Sequence, residues 1–211
     1  MGKEYNSVYI EAENILAGIN KNINSPSTKA FLAKIRNSVD KDLLHNIDLL
    51  SCIFSSVSYY SGELYNRGES YEELTNKEQA IFTALQLYAI HQQSSYKSVM
   101  KIGGDYDEKQ KYKDNIGDAL STLRNEESES IDKRFNTMIV STDYKRLTYH
   151  LRQMIKILKS KSDVKVDYAK LAEDLYWFMN GKKEGVRLSW ARSYYKYRKN
   201  EEMEGDIKNE K

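Results

Sequence analysis

The 211-residue chain holds one proline, one cysteine and three histidines, so it is nearly empty of helix breakers and of the commonest metal ligands. Pro26 is its only proline, while Leu, Lys, Glu, Ala and Tyr are abundant, a composition that favours helices. The lone Cys52, in the apolar run LLSCIF, excludes an internal disulfide or a multi-cysteine metal site and reads as a small buried hydrophobe. His45, His91 and His150 sit in separate segments without ligand spacing. The patterns GxxxxGK[ST], GxSxG and HExxH are absent. No catalytic residue, metal or cofactor is expected, and the chain is read as a non-enzyme. No run of 18 uncharged apolar residues occurs, and MGKEYNSVYIEAEN carries acids instead of an apolar leader core, so a cytoplasmic protein away from membranes is expected.

What is present is helical periodicity. About eight helices are predicted in an all-α, compact bundle of two packed lobes. The N-terminal lobe spans 1–95, a polar loop 96–115, and the C-terminal lobe 116–200, with a charged, disordered tail at 201–211. Apolar residues at helical spacing mark 5–18, and KAFLAKIRNS is a second helix starting at Ser27 or Thr28. Residues 40–60 read as a largely buried helix. Thr75 and Glu78 form a capping-box pattern that opens QAIFTALQLYAIHQ, whose closing His91-Gln92 is expected to bond the last carbonyls. Beyond the loop, IGDALSTLR, ESIDKRFNTMIV, YKRLTYHLRQMIKILK, DYAKLAEDLYWFM and EGVRLSWARSYYKYRK each fit a helical template, and no alternating strand pattern competes.

Net charge is only +2, but the charges are segregated. Between Lys133 and Lys161 eight basic residues face one acid, Asp143, and between Lys182 and Lys199 seven face Glu184. On a helical wheel Leu147, Leu151, Met154, Ile155 and Leu158 share one sector, and Lys145, Arg152, Lys156 and Lys159 share another about 60° wide. Such a stripe can touch successive phosphates without reading bases, or it can be an ordinary solvated face. Val186, Trp190 and Tyr194 point inward on the last helix, with Arg192, Lys196 and Lys199 on another side. Tyr194, Tyr195 and Tyr197 either stack on unpaired bases or complete the core. Asp105, Asp107 and Glu108 are the one carboxylate group a Mg²⁺ nuclease could use, but they sit in a loop without strand support and read as solvated.

Several segments, in order, resemble the CasB family of small subunits of type I-E CRISPR Cascade. They are ALQLYAIHQQS (84–94), NIGDALSTLR (115–124) with its Gly-x-Ala-Leu element, IDKRFNTMIVSTD (131–143), YKRLTYHLRQMIKILK, VDYAKLAEDLYWF and VRLSWARSYY. Upstream, KAFLAKIRNS (29–38) resembles the family's early helix ending in Ile-Arg. The resemblance implies a helical, non-catalytic subunit whose basic surface stabilises an R-loop. It implies as partners the large and backbone Cascade subunits, guide RNA, target and displaced DNA strands, and a second copy of the chain. Matched basic positions are Arg36, Arg124, Lys133, Arg134, Arg152 and Arg192. The family often has a base after the Gly of Gly-x-Ala-Leu, where this chain has Asp118. Lys97 and Lys101, with Lys109, Lys111 and Lys113, flank that element as replacements, and Lys145, Lys156 and Lys196 extend the set along the two basic helices. Arg36 and Arg124 have a second reading as complements to helix C-termini, and Lys133-Arg134 as helix ion pairs. The alternative for the whole chain is a helical protein-interaction module with no direct nucleic-acid role.

Overall fold

In the computed structural model the described residues are 5–39, 41, 47–56, 74–101, 114–124 and 129–196. They build an all-α bundle of α1 (Tyr5–Lys21), α2 (Pro26–Asn37), α3 (Ile47–Phe54), α4 (Asn76–Gln92), α5 (Ile116–Leu120), α6 (Glu129–Ile139), α7 (Tyr144–Lys161), α8 (Tyr168–Trp177) and α9 (Lys183–Tyr195). Among the described residues the one β-type pairing is an isolated parallel bridge between Met100 and Val166. The expected helix over 40–60 is described only as α3; residues 40, 42–46 and 57–60 lie outside the described set.

Local chemistry accounts for the helix starts. Thr75 Oγ1 accepts from Glu78 N at 3.1 Å and the Glu78 carboxylate accepts from Thr75 N at 2.6 Å, completing the capping box of α4. The α2 start differs from the sequence expectation. Ser25 is the N-cap, its hydroxyl accepting from Thr28 N at 3.1 Å, because Pro26 at the first helical position has its φ pre-set and no N–H to leave orphaned. Asp143 and Asp167 cap α7 and α8, each accepting a backbone N–H at 2.8 Å.

Helix α4 is the axis of the bundle. Ala80, Ile81, Phe82, Ala84, Leu85, Leu87, Tyr88 and Ala89 are all buried, so it is apolar over most of its circumference, with Gln79, Thr83 and Gln86 forming one polar strip. It packs against α1, α2, α3, α7 and α8, while α8 also covers α1, so one core runs through both halves of the chain. The Cys52 thiol lies in this layer and donates to Leu49 O at 3.0 Å. Helices α8 and α9 are joined by one π-type turn, Phe178–Lys182, where Gly181 takes φ +78°. That left-handed residue turns α9 back onto α5, α6 and α8.

Candidate nucleic-acid interface

With α4 buried between α2 and α7, the basic residues of those two flanking helices border a shared surface. A groove of about 270 Å³ is lined by Ser38 and Lys41 at the end of α2, by Gln79, Thr83 and Gln86 of α4, and by Tyr144, Lys145, Thr148 and Arg152 of α7. Gln86 Nε2 donates to Ser38 Oγ at 3.1 Å and Tyr144 Oη donates to Thr83 Oγ1 at 2.8 Å, so the floor is tied across all three helices. Further along α4, Arg36 Nη1 donates to Ala89 O at 3.4 Å and Lys159 Nζ to Gln93 Oε1 at 3.3 Å. Burial, then the Arg36 charge, hold the Lys159 ammonium below the ordinary lysine pKa. Beneath it His91 is buried and pushed down to about 4, by burial first and then by Lys159. Its Nδ1 pairs with Tyr168 Oη at 2.9 Å.

Lys41, Lys145 and Arg152 line the first groove, Arg36 a second and Lys159 a third, the last two sharing Gln93 and Tyr96; among the described lining residues Asp163, in the third, is the one acid, and Lys156 is exposed on the crest of α7. Clustered cations raise the local positive potential, which an anionic chain relieves.

The other expected bases lie elsewhere. Lys133 and Arg134 line a groove on the opposite flank of α7 with Tyr149 and His150, and Lys133 pairs with Glu129 at 2.6 Å. Lys101 pairs with Asp114. Arg124 is locked: its Nε lies 3.2 Å from Asp132, and its guanidinium sits 5.3 and 5.0 Å from the ring centroids of Tyr194 and Tyr195. Arg192 and Lys196 are exposed on α9, whose main packing partners are α5, α6 and α8. Lys97 is exposed on the turn after α4.

The aromatic expectation resolves toward the core. Tyr194 is buried, stacks on Phe135 at 3.6 Å, and donates to Asp132 at 2.7 Å; Tyr195 packs edge-on against both rings and donates to Asn136 at 2.8 Å. Tyr197, Lys109, Lys111, Lys113, Lys199, Asp105, Asp107 and Glu108 lie outside the described residues. Among the described residues no three His, Cys, Asp or Glu side chains converge as a metal set, and no helix is long and apolar enough to cross a membrane.

Sequence reasoning missed Lys29, Lys41 and Tyr96. Lys29 and Arg36 stand seven apart on α2, a helical repeat that was legible, whereas the juxtaposition of Lys41 with α7 needs the tertiary fold.

The short motifs that carry the resemblance interlock. Gly117 presses on α9: a Cβ there would lie 2.1 Å from Trp190 O. Trp190 Nε1 donates to Asp174 Oδ2 at 2.7 Å, and Asp174 also holds Lys170 at 2.5 Å. His91 holds Tyr168, while Gln92 fastens the following turn instead of the last helical carbonyls, through Ser95 O, Lys97 O and Val99 N at 3.1, 2.9 and 3.1 Å. Asp118, where a base was expected, closes a capping box: its carboxylate accepts from Asn115 N at 2.9 Å while Asn115 Oδ1 accepts from Gly117 N at 2.8 Å.

The described residues thus form an all-helical bundle braced by buried polar side chains, with a groove bordered by lysine and arginine open to solvent. Residues 31–195 match the family of CRISPR-associated protein Cse2, and the chain belongs to that family. Similar solved structures include CasB from Thermobifida fusca, with 24 % identity, 89 % of this chain and 97 % of that one covered, and a TM-score of 0.66. CasB from M. ruber shows 21 % identity over 87 % and 92 % of the two chains with a TM-score of 0.57. CasB from Thermus thermophilus shows 19 % identity over 87 % and 97 %, with 0.56. No curated protein sequence matches significantly.

Proposed function

We propose that this protein is a non-catalytic small subunit of a type I-E Cascade complex, and that it steadies the R-loop by holding nucleic-acid backbone, without sequence preference, in the groove between α2 and α7. The observation that carries the reading is that groove with its two neighbours: Lys41, Lys145 and Arg152 line the first, Arg36 and Lys159 the next two, and neither α2 nor α7 contains a carboxylate residue. Exchange of a DNA duplex for an RNA–DNA heteroduplex is nearly balanced, so a few backbone contacts decide its direction. Lys156, Lys133 and Arg134 extend the contact over the crest of α7 to its far flank. Arg192, Lys196, Lys97 and Lys101 act as peripheral contacts, and Arg124 braces the fold. Partners on this reading are the large and backbone subunits, guide RNA, target and displaced DNA, and a second copy of the chain, in the cytoplasm. Co-expression with the other Cascade subunits is expected to yield a complex carrying guide RNA. An assembled complex whose R-loop stability is insensitive to Arg36→Ala with Arg152→Ala would refute the backbone-holding role.

The protein-interaction alternative has one observation in its favour. Val140 and Leu188 are 67 % and 54 % exposed, and Arg187, next to Leu188, reaches Ser141 O, next to Val140. Loss of assembly on Leu188→Asp, with DNA affinity of the subunit at zero throughout, would favour that reading.

A further inference from the structure

The basic groove has an aromatic at one end that the fold does not use. Tyr96 is 82 % exposed, the most exposed large hydrophobic residue among those described. It stands at the tip of a turn held firmly from below: Gln92, itself buried, binds Ser95 O, Lys97 O and Val99 N, and Ser95 Oγ donates to Lys97 O at 2.8 Å. Ser94 adopts φ +66°, a left-handed conformation that a serine holds at some cost. A ring fixed in solvent by a braced turn forgoes the burial that a tyrosine normally contributes.

Two grooves meet at this ring. One, of about 430 Å³, is lined by Lys29 and Arg36 of α2 together with Gln93 and Tyr96. The other, of about 670 Å³, is lined by Tyr96, Lys97, Lys159 and Lys165, with Asp163 as its one acid. Lys29 Nζ lies 5.9 Å from the ring centroid, at the edge of cation–π range. The aromatic is thus flanked by Lys29 and Arg36 of α2 on one side and by Lys159 of α7 on the other. An aromatic face interleaved with bases along a channel is how proteins hold strands whose bases are unpaired, since every base has a π-face and phosphates follow on either side.

We propose that Tyr96 is a stacking platform for an unpaired nucleobase of a single strand, with Arg36 and Lys159 taking the phosphates that flank it. This rests on the reading of the α2–α7 groove as a backbone-binding surface and adds to it a preference for single strands over duplex. Arg36 and Lys159 have a simpler role in offsetting the carbonyl end of α4, but that role makes no use of an exposed ring between them.

The test is fluorescence anisotropy of the full chain with four labelled probes of equal length: oligothymidylate, oligouridylate, an abasic deoxy strand and a duplex. Wild-type protein is expected to bind the two base-bearing strands more tightly than the abasic one. Tyr96→Ala removes that gap, weakening base-bearing strands by roughly five- to a hundredfold while leaving abasic and duplex affinities unchanged. Tyr96→Trp restores the gap, and whether the deoxy or the ribo strand gains more identifies the strand favoured. Equal weakening of all four probes by Tyr96→Ala, or no effect on any, overturns the stacking proposal. If Arg36→Ala with Lys159→Ala abolishes binding while Tyr96→Ala is silent, the groove stands and the platform falls. If wild-type protein binds none of the probes, both fall; if Tyr96→Ala instead disrupts complex assembly, the ring is a protein contact and the stacking proposal is wrong.

Discussion

Gly117→Ala is expected to be among the most damaging single-methyl changes the chain can suffer. A Cβ on residue 117 would stand 2.1 Å from Trp190 O and 2.9 Å from both Trp190 C and Asn115 Oδ1. An ordinary carbon–oxygen approach is roughly 3.3 Å, so α5 must back away from α9 by about 1 Å. The obstacle is backbone, which cannot rotate aside. Retreat also stretches the bonds from Asn115 Nδ2 to Ser193 Oγ at 3.0 Å and Ser189 Oγ at 3.1 Å, each worth about 1 kcal/mol. With an overpacking cost of about 1–3 kcal/mol, the total loss is about 3–5 kcal/mol. For a chain of this size that lowers Tm by roughly 6–20 °C. Circular dichroism melts and urea titrations check this. Gly185→Ala is the control, because nothing lies within 4 Å of a Cβ there and alanine is the better helix former by about 0.5–1 kcal/mol. A Gly117→Ala melt equal to wild type, or one raised like the Gly185→Ala melt, refutes the close approach of α5 to α9.

Two further outcomes are expected. His91 is neutral in the fold, with its pKa pushed from 6.5 down to about 4 by burial and then by Lys159, so the unfolded chain protonates first as the solution is acidified. Its contribution is full above pH 6.5 and is lost as pH falls toward 4, about 3 kcal/mol in all. Urea titrations across that window are expected to show this slope in wild type and a flatter one in His91→Gln; identical slopes contradict it. Arg124→Ala is expected to cost about 1–2 kcal/mol through lost contacts with Asp132, Tyr194 and Tyr195, and to leave the salt dependence of DNA binding untouched. Unchanged stability with a shallower salt slope would instead make Arg124 a phosphate contact.

Helical periodicity made much of the fold readable, because burial follows spacing closely when one face must pack. Leu147, Leu151, Met154, Ile155 and Leu158 of α7 and Val186, Trp190 and Tyr194 of α9 are all buried where the spacing puts them. The capping box at Thr75 and Glu78 formed because its bonds are local. What the sequence did not disclose is tertiary. Spacing on α7 says which way Lys145 and Arg152 point, but not that Arg36 and Lys41 arrive beside them across α4. Nor does it separate Lys133 and Arg134, which lie on the far flank of the same helix. The ion pairs of Arg124 and Lys101 are not announced by the sequence, because Asp132 and Asp114 are eight and thirteen residues away. Helix α2 starts ahead of the expected Ser27 or Thr28 because Pro26, a breaker inside helices, is well suited to their first position.

The most direct test of the account is the salt dependence of single-stranded DNA binding for wild type and for the triple variant Arg36→Ala, Arg152→Ala, Lys159→Ala. Each phosphate contact adds about 0.7 to the slope of log affinity against log salt, so three lost contacts are expected to lower it by about 2. A folded triple variant with wild-type affinity and an unchanged slope would contradict the assignment of the α2–α7 groove as the nucleic-acid surface.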